Sequence, residues 1–525
     1  MNADRQIAAG KTVAMPADLH VLALMPPSRK DRTHYLVALL RAGKQRWNWK
    51  ISALCDGLER GAFKSLVGSE GALFARPHLL KVQPWEHDPQ EIAKTEKLMR
   101  EAEAATAFPT GRIILAAAHS VGRGYNLEVR HLRKYALVRR VLKDNTEAFR
   151  IVRRLFRFAD DMLEAAKPDF VYAFEWATPL NLAIWLAAQR RGIPCVALRY
   201  SKINPSHGFW TTDRLMMNSA ALALGNSKRE SGASVSEAAK TYIQKFRDQP
   251  QVISYIATKW RNKMKRGLLR WHLENAKVVV REFINGLRGQ DKSLRELPFG
   301  RFMRYYHSLY LNFAQQHFFT AYGPDVLKKM KYVYFPLHKE AELAQTFQAT
   351  LWHDQRNTVR VLASMLPAGY RLLVREHRMN VGHRPTKSYR QYADIPNVTL
   401  IDPFDSQFKY LQNAALVVTE NGSSGWEGLL LRRPVLLLSR TFYDGAGLGV
   451  RVTDPDRLNR AVLQALSQPP AEDAESYERA LGCMVDAELE TTFPLSNEGA
   501  EAALDRLANT LGPLLRADAK PVLTA

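Results

Sequence analysis

Cysteine is nearly absent from this chain: three in 525 residues (Cys55, Cys195 and Cys483), far apart and with no Cys-x-x-Cys pair. That scarcity excludes a disulfide framework and a cysteine-based zinc site, and it fits a reducing cytoplasm. No apolar run approaches the ~20 residues of a membrane-spanning helix. The opening stretch, MNADRQIAAGKTVAM, lacks the apolar core of a secretory signal, so none is expected. There is no repeat of solenoid period. Zinc-finger, RRM and KH patterns are also missing, so no specific nucleic-acid partner is expected.

Acidic residues are in deficit. Asp and Glu number 52 against 75 Lys and Arg, a formal charge of +23. Such a surface draws polyanions: nucleic acid, anionic lipid or phosphorylated substrates. Charge alone does not choose among them. Apolar residues at 46% and charged residues at 24% mark an ordinary globular chain. Its length implies two or three domains, at roughly 100–200 residues each.

The N-terminal half opens with a short apolar strand, Val21 to Met25, stopped by Pro26-Pro27. Between about Asn126 and Glu164, arginines and lysines alternate with apolar residues at helical spacing, including Arg153, Arg154 and Arg157. This amphipathic basic region reads either as a solvated helix face or as a contact for a polyanion or lipid surface. A strand from Phe170 to Phe174 ends at Glu175, a helix from Leu180 to Arg191 follows, and Cys195 to Leu198 forms the next strand. That is a β-α-β unit with an acid at the strand's carboxyl end, where ligands of such sheets sit. Residues 226–325 are helical, basic and aromatic, with Trp260, Lys263, Arg270 and Trp271 among them. They read as a membrane-surface helix or as an insertion packing its aromatics inward. From Tyr332 onward, apolar strands alternate with helices, the pattern of a parallel doubly wound sheet.

Three strand ends in this last region carry candidate chemistry. The first is Thr419-Glu420-Asn421-Gly422-Ser423-Ser424-Gly425-Trp426-Glu427. Its glycines let a ligand approach the backbone, its serines add hydroxyl donors, and the helix it opens presents free N–H groups; phosphate uses all three. It is neither a Walker A nor a Gly-x-Gly-x-x-Gly loop. The plainer alternative is a capping box of Ser424 and Glu427. The second is Arg375-Glu376-His377-Arg378, two cations able to neutralise a phosphate. A zinc site through His377 and His383 is the weaker alternative, and no metal is expected. The third is Phe335-Pro336-Leu337-His338-Lys339-Glu340-Ala341-Glu342, where His338 and Glu342 could bind a sugar or move a proton, or the acids could cap the next helix.

These segments resemble the capsular polysaccharide biosynthesis family, which includes Kdo-transferase-like enzymes of the GT-B fold. The likeness covers residues 330–445 well and 168–215 weakly. Phe335 to Glu342 looks like its Phe-Pro-Leu-His motif with a nearby Glu. Arg375 to Arg378 is similar to Lys-Glu-His-Pro, and Gly422 to Glu427 matches a segment ending Gly-Trp-Glu. Arg378 stands where Pro is usual, and Asn421-Gly422-Ser423 replaces Thr-Gly-Thr.

The resemblance implies an α/β chain of GT-B-like fold, two Rossmann-like domains facing a cleft, with a helical insertion and a C-terminal helix. The expected ranges are an acceptor-side domain at 17–325 (insertion at about 226–325), a nucleotide-sugar domain at 326–495, and a helix and tail at 496–525. The implied activity is transfer of a sugar from a nucleotide donor, a CMP-sugar such as CMP-Kdo favoured, to a surface polysaccharide or glycolipid. His377, by the resemblance, and Glu175, by its strand-end position alone, are the expected catalytic residues. Arg375, Gly422, Ser423, Ser424, Gly425, Glu427, His338 and Glu342 are expected at the donor. No cofactor is implied beyond the donor as substrate. The expected partners are the nucleotide-sugar, a polysaccharide or lipid-linked acceptor and the anionic inner-membrane surface, with the chain cytoplasmic and peripheral on that membrane. A nucleotide-sugar epimerase of the same fold is the nearest alternative. A catalytically degenerate polysaccharide-binding or assembly protein is the second, motivated by Arg378 and Asn421.

Overall fold

A computed structural model of the chain describes residues 15–24, 30–55, 72–74, 82–113, 145–176, 178–250, 280, 311, 314–339, 347–349, 351–352, 354–378, 380–382, 384–444, 447–452, 454–467 and 474–515. Glu342, His383, residues 126–144 of the basic stretch, and Trp260, Lys263, Arg270 and Trp271 lie outside them. The described strands are β1 (His20–Leu24), β2 (Lys50–Cys55), β3 (Ala72–Phe74), β4 (Phe170–Ala173), β5 (Cys195–Tyr200), β6 (His207–Thr211), β7 (Tyr332–Pro336), β8 (Arg371–Arg375), β9 (Val398–Ile401), β10 (Leu416–Thr419), β11 (Val435–Leu437), β12 (Val450–Arg451) and β13 (Phe493–Pro494). They form two separate α/β sheets, as a GT-B-like chain requires.

The chain divides into two compact units. One comprises the described parts of residues 1–117, 141–224 and 487–525, and the other those of 225–486. Both division points fall inside helices, Ser219–Glu230 and Ala474–Thr491. The expected ranges instead ended the first domain at 325 and set 496–525 apart. The return of the chain to the first unit has a packing cause. The helix Ala500–Leu511 places Ala503, Leu504, Leu507, Ala508 and Leu511 in the same core as Val21, Trp49, Phe170 and Trp210. The indole N–H of Trp210 donates to the carbonyl of Ala503 at 2.7 Å.

In the first unit the strand order is β13-β6-β5-β4-β1-β2-β3. β3, β2, β1, β4 and β5 are parallel, and β6 and β13 close one edge antiparallel. β4 is buried throughout and β1 almost so, which is why they read as unbroken apolar runs.

In the second unit the order is β12-β11-β10-β7-β8-β9, all parallel. Counted from β7, this is the 3-2-1-4-5-6 order of a dinucleotide-binding sheet. Its core gathers Val333, Phe335, Leu372, Val374, Leu416, Val418 and Leu436 with helix residues Val359, Leu362, Val462 and Tyr389. The helix Glu237–Asp248, from the expected insertion, packs here: Phe246 is buried and meets the Phe408 ring edge-on at 5.7 Å.

The helix Asn145–Ala166 carries the described part of the basic stretch; Arg150 is exposed on it, whereas Arg153, Arg154 and Arg157 are engaged by acids of this chain. Arg153 reaches Glu96 and Arg157 reaches Glu91, each at 2.8 Å. Arg154 is 2% exposed and is held between Glu86 and Glu147. No helix among the described residues is long and apolar enough to cross a membrane.

Candidate functional site

In a sheet of this order, the connections from strands one and four run in opposite directions, and a crevice opens at their carboxyl ends. Here those strands are β7 and β10. The residues that follow them are Leu337 to Lys339 and Glu420 to Gly422. The two loops meet. The imidazole of His338 lies against Gly422: a Cβ on that glycine would stand 3.0 Å from His338 Cε1 and 3.6 Å from Nε2. A side chain at this position would require the His338 ring to give by a few tenths of an ångström.

The turn itself is tightly held. The N–H of Gly422 donates to Thr419 Oγ1 at 3.0 Å, and its carbonyl accepts from the Tyr443 hydroxyl at 3.2 Å. The Tyr443 hydroxyl also crowds Gly425, where an added Cβ would come within 2.1 Å. Asn421 donates from Nδ2 to Gln348 Oε1 at 3.0 Å.

The helix that follows spans Ser423–Leu430, with Gly422 as its N-cap and no side-chain cap. The alternative capping box is therefore absent. Ser424 lies inside the first turn, and Glu427 is fully buried, accepting from Gln407 Nε2 at 2.5 Å. Among the described residues no side chain is recorded accepting from the first-turn N–H groups of Ser423 and Ser424, at the positive end of the helix dipole. Ser423 is half-buried and Ser424 buried.

In the second cluster both arginines are engaged by the main chain of a neighbouring loop. Arg375 is buried; its guanidinium donates to Gln407 Oε1 (3.2 Å) and to the carbonyls of Pro403 (2.8 Å) and Asp405 (3.1 Å). Arg378 donates to the carbonyls of Pro403 (2.7 Å), Phe404 (3.3 Å) and Asp405 (3.2 Å). Burial, and then the neighbouring Arg375, lowers the pKa of Arg378. Both cations clamp the loop after β9. Glu376 is fully buried and pairs with the equally buried Arg384 at 2.6 Å. His377 follows β8, one strand further from β10 than His338. Its N–H donates to Glu376 Oε1 at 2.6 Å, and its carbonyl accepts from the N–H of Asn380 at 2.8 Å.

In the first unit, Glu175 follows β4, the strand that pairs with β1 at the corresponding reversal of that sheet. Its Oε2 accepts from Arg199 Nη1 at 3.1 Å, and its carbonyl accepts from Asn181 Nδ2 at 2.9 Å. The acid is half-buried and ion-paired, beside a helix whose N-cap Thr178 accepts from the N–H of Asn181. Among the described residues no group of three or more His, Cys, Asp or Glu side chains is placed to hold a metal ion.

Residues 312–467 match the model of capsule polysaccharide biosynthesis proteins. That match covers less than a third of the chain. It lies wholly in the second unit and contains β7 to β12, His338, His377 and the serine turn. No curated protein matches the chain. Similar solved structures include UDP-GlcNAc 2-epimerase from Neisseria meningitidis bound to UDP-GlcNAc: 13% identity, 93% of this chain and 99% of that one, TM-score 0.25. The spinosyn rhamnosyltransferase SpnG complexed with spinosyn aglycone has 12% identity over 90% of this chain and 96% of that one, TM-score 0.26. KpsC from Thermosulfurimonas dismutans, a beta Kdo 2,7 transferase, has 16% identity over 38% of this chain and 61% of that one, TM-score 0.23.

Several residues that build this candidate site had no local signal. Gln355 and Asn380 bond the main chain of His338, and Gln407 holds Glu427. Isolated amides in a sequence carry no mark of their distant partners. Tyr443 stands in the Phe442-Tyr443-Asp444 stretch, and its aromatic neighbours Trp426 and Phe442 were the available hint.

Proposed function

We propose that this chain is a glycosyltransferase that moves a sugar from a nucleotide-activated donor to a surface polysaccharide or glycolipid acceptor. A CMP-sugar such as CMP-Kdo is the favoured donor, on the family resemblance. One observation carries the reading: His338 sits against the N-cap glycine of an uncapped helix, at the crevice of a parallel sheet in dinucleotide-binding order.

The chemistry follows from that arrangement. The acceptor hydroxyl attacks the anomeric carbon while the bond from that carbon to the donor's phosphate oxygen breaks. The electron pair leaves with the nucleotide, and the first-turn N–H groups, the hydroxyls of Ser423 and Ser424 and a histidine receive its charge. Such a site takes over the charge role of a metal. The hydroxyl proton passes to a carboxylate, for which Glu175 is the candidate. The net charge of +23 favours work at the cytoplasmic face of an anionic inner membrane, where lipid-linked acceptors lie.

The test is thermal unfolding of the full chain with CMP, UDP, GDP and their sugars, followed by transfer assays. CMP at a hundredfold excess over its Kd should stabilise by about 2.7 kcal/mol. His338→Ala should fold normally and lose turnover, and His377→Ala tests the histidine expected from the sequence. Stabilisation by no nucleotide would sink the reading. Conversion of the donor without any acceptor would favour the epimerase, and donor binding without consumption the degenerate binding protein.

A further inference from the structure

His338 is held by its main chain through three side-chain hydrogen bonds. Its N–H donates to Gln355 Oε1 at 2.5 Å, and its carbonyl accepts from Gln355 Nε2 at 3.1 Å. One amide side chain thus mates with both main-chain groups of one residue, as a neighbouring strand would. Gln355 is 1% exposed and opens the helix Gln355–Ser364, whose Asp354 cap and buried Thr358, Val359 and Leu362 anchor it. A third bond comes from the other side. Asn380 Nδ2 donates to the carbonyl of His338 at 3.2 Å and to Glu376 Oε1 at 3.1 Å. Glu376 is in turn fixed by Arg384.

Burying a primary amide is costly unless its groups are bonded. Here the Gln355 amide and the main chain of His338 satisfy each other, and an apolar side chain at 355 would take both bonds from that main chain. What the polar clamp adds is a single position for the residue it grips. The imidazole so placed is the one against Gly422.

We infer that Gln355 and Asn380 are positioning residues: they hold the main chain of His338 so that its imidazole stays at the first turn of the serine helix, where it meets the donor's phosphate. This rests on the function proposed above. Neither residue touches the donor; both act through His338.

The experiment is a double-mutant cycle on the full chain, read by CMP titration calorimetry. Gln355→Leu should bind CMP about tenfold more weakly than the native chain, as should His338→Ala. The two together should be no weaker than His338→Ala alone. Native affinity in Gln355→Leu, or losses that simply multiply in the double variant, would overturn the inference. If Gln355→Leu does not fold, Asn380→Ala is read the same way. A second readout needs no nucleotide: the His338 imidazole resonance, assigned through His338→Ala, should be single and sharp in the native chain. It should shift or broaden in Gln355→Leu, and an unchanged resonance overturns the clamp. Failure of the native chain to bind CMP would instead count against the donor assignment, with the clamp then decided by the resonance.

Discussion

Glu488 shows how a single residue can tie the first unit's stability to pH. Its carboxyl is buried, accepts from Ser201 Oγ at 3.1 Å, and has Asn218 as its other side-chain partner. Burial pushes its pKa up from 4.5 to about 7, only partly offset by those two hydrogen bonds. The folded value lies above the unfolded one, so the folded chain binds the proton more tightly. The resulting stability is fully present below about 4.5 and is lost as pH rises through about 7. The shift corresponds to about 3 kcal/mol at most. Glu488→Gln should therefore be more stable than the native chain at pH 8 by about 1–3 kcal/mol, converging with it toward pH 4.5. Thermal melts across that range check it, and a difference independent of pH would refute it.

At the scale of elements, the loop from Glu376 to Arg384 is organised around one buried ion pair rather than around exposed cations. Glu376 and Arg384 are both fully buried and 2.6 Å apart, and the Arg384 guanidinium lies over the Tyr392 ring. A pair of this kind contributes little net stability, but removing one partner strands the other charge. Arg384→Met alone should cost about 3–5 kcal/mol. The same change combined with Glu376→Leu should cost much less, as read from denaturant midpoints. Equal losses in the two variants would mean that the pair is not the organising contact. The serine helix has a comparable dependence on its surroundings: Tyr443 and Thr419 pin its first turn, and Gln407 fixes its one acid.

At the scale of the molecule, the first unit depends on the far end of the chain. The helix Ala500–Leu511 supplies Leu504, Leu507 and Leu511 to its core, and Arg46 reaches back to Glu501 (3.1 Å) and Asp505 (2.6 Å). Each buried leucine is worth about 1.5–3 kcal/mol, whereas the exposed ion pairs add little. Ending the chain after Leu495, the end of the second domain as expected from the sequence, should unfold the first unit while sparing the second. Limited proteolysis of that truncated chain would show early loss of residues 15–224. Equal resistance of both units would show that the terminal helix is dispensable.

Periodicity and punctuation were enough to read the α/β class, the strands from Tyr332 onward and the turn at Gly422, because these depend on neighbours within one element. The same residues carried the family resemblance. Partnerships between distant residues were invisible. Arg375 and Arg378 looked like anion-binding cations, yet they bond loop carbonyls 25–30 positions away. Ser424 and Glu427 had the spacing of a cap, but packing buried Glu427 against Gln407 and left the N-cap to Gly422. His338 took its place through strand order, which sets β7 beside β10 and β8 one strand beyond. Residue type and spacing decide what an element can be. Which groups meet is decided by how the strands are ordered and by the need of each buried polar group to find a partner.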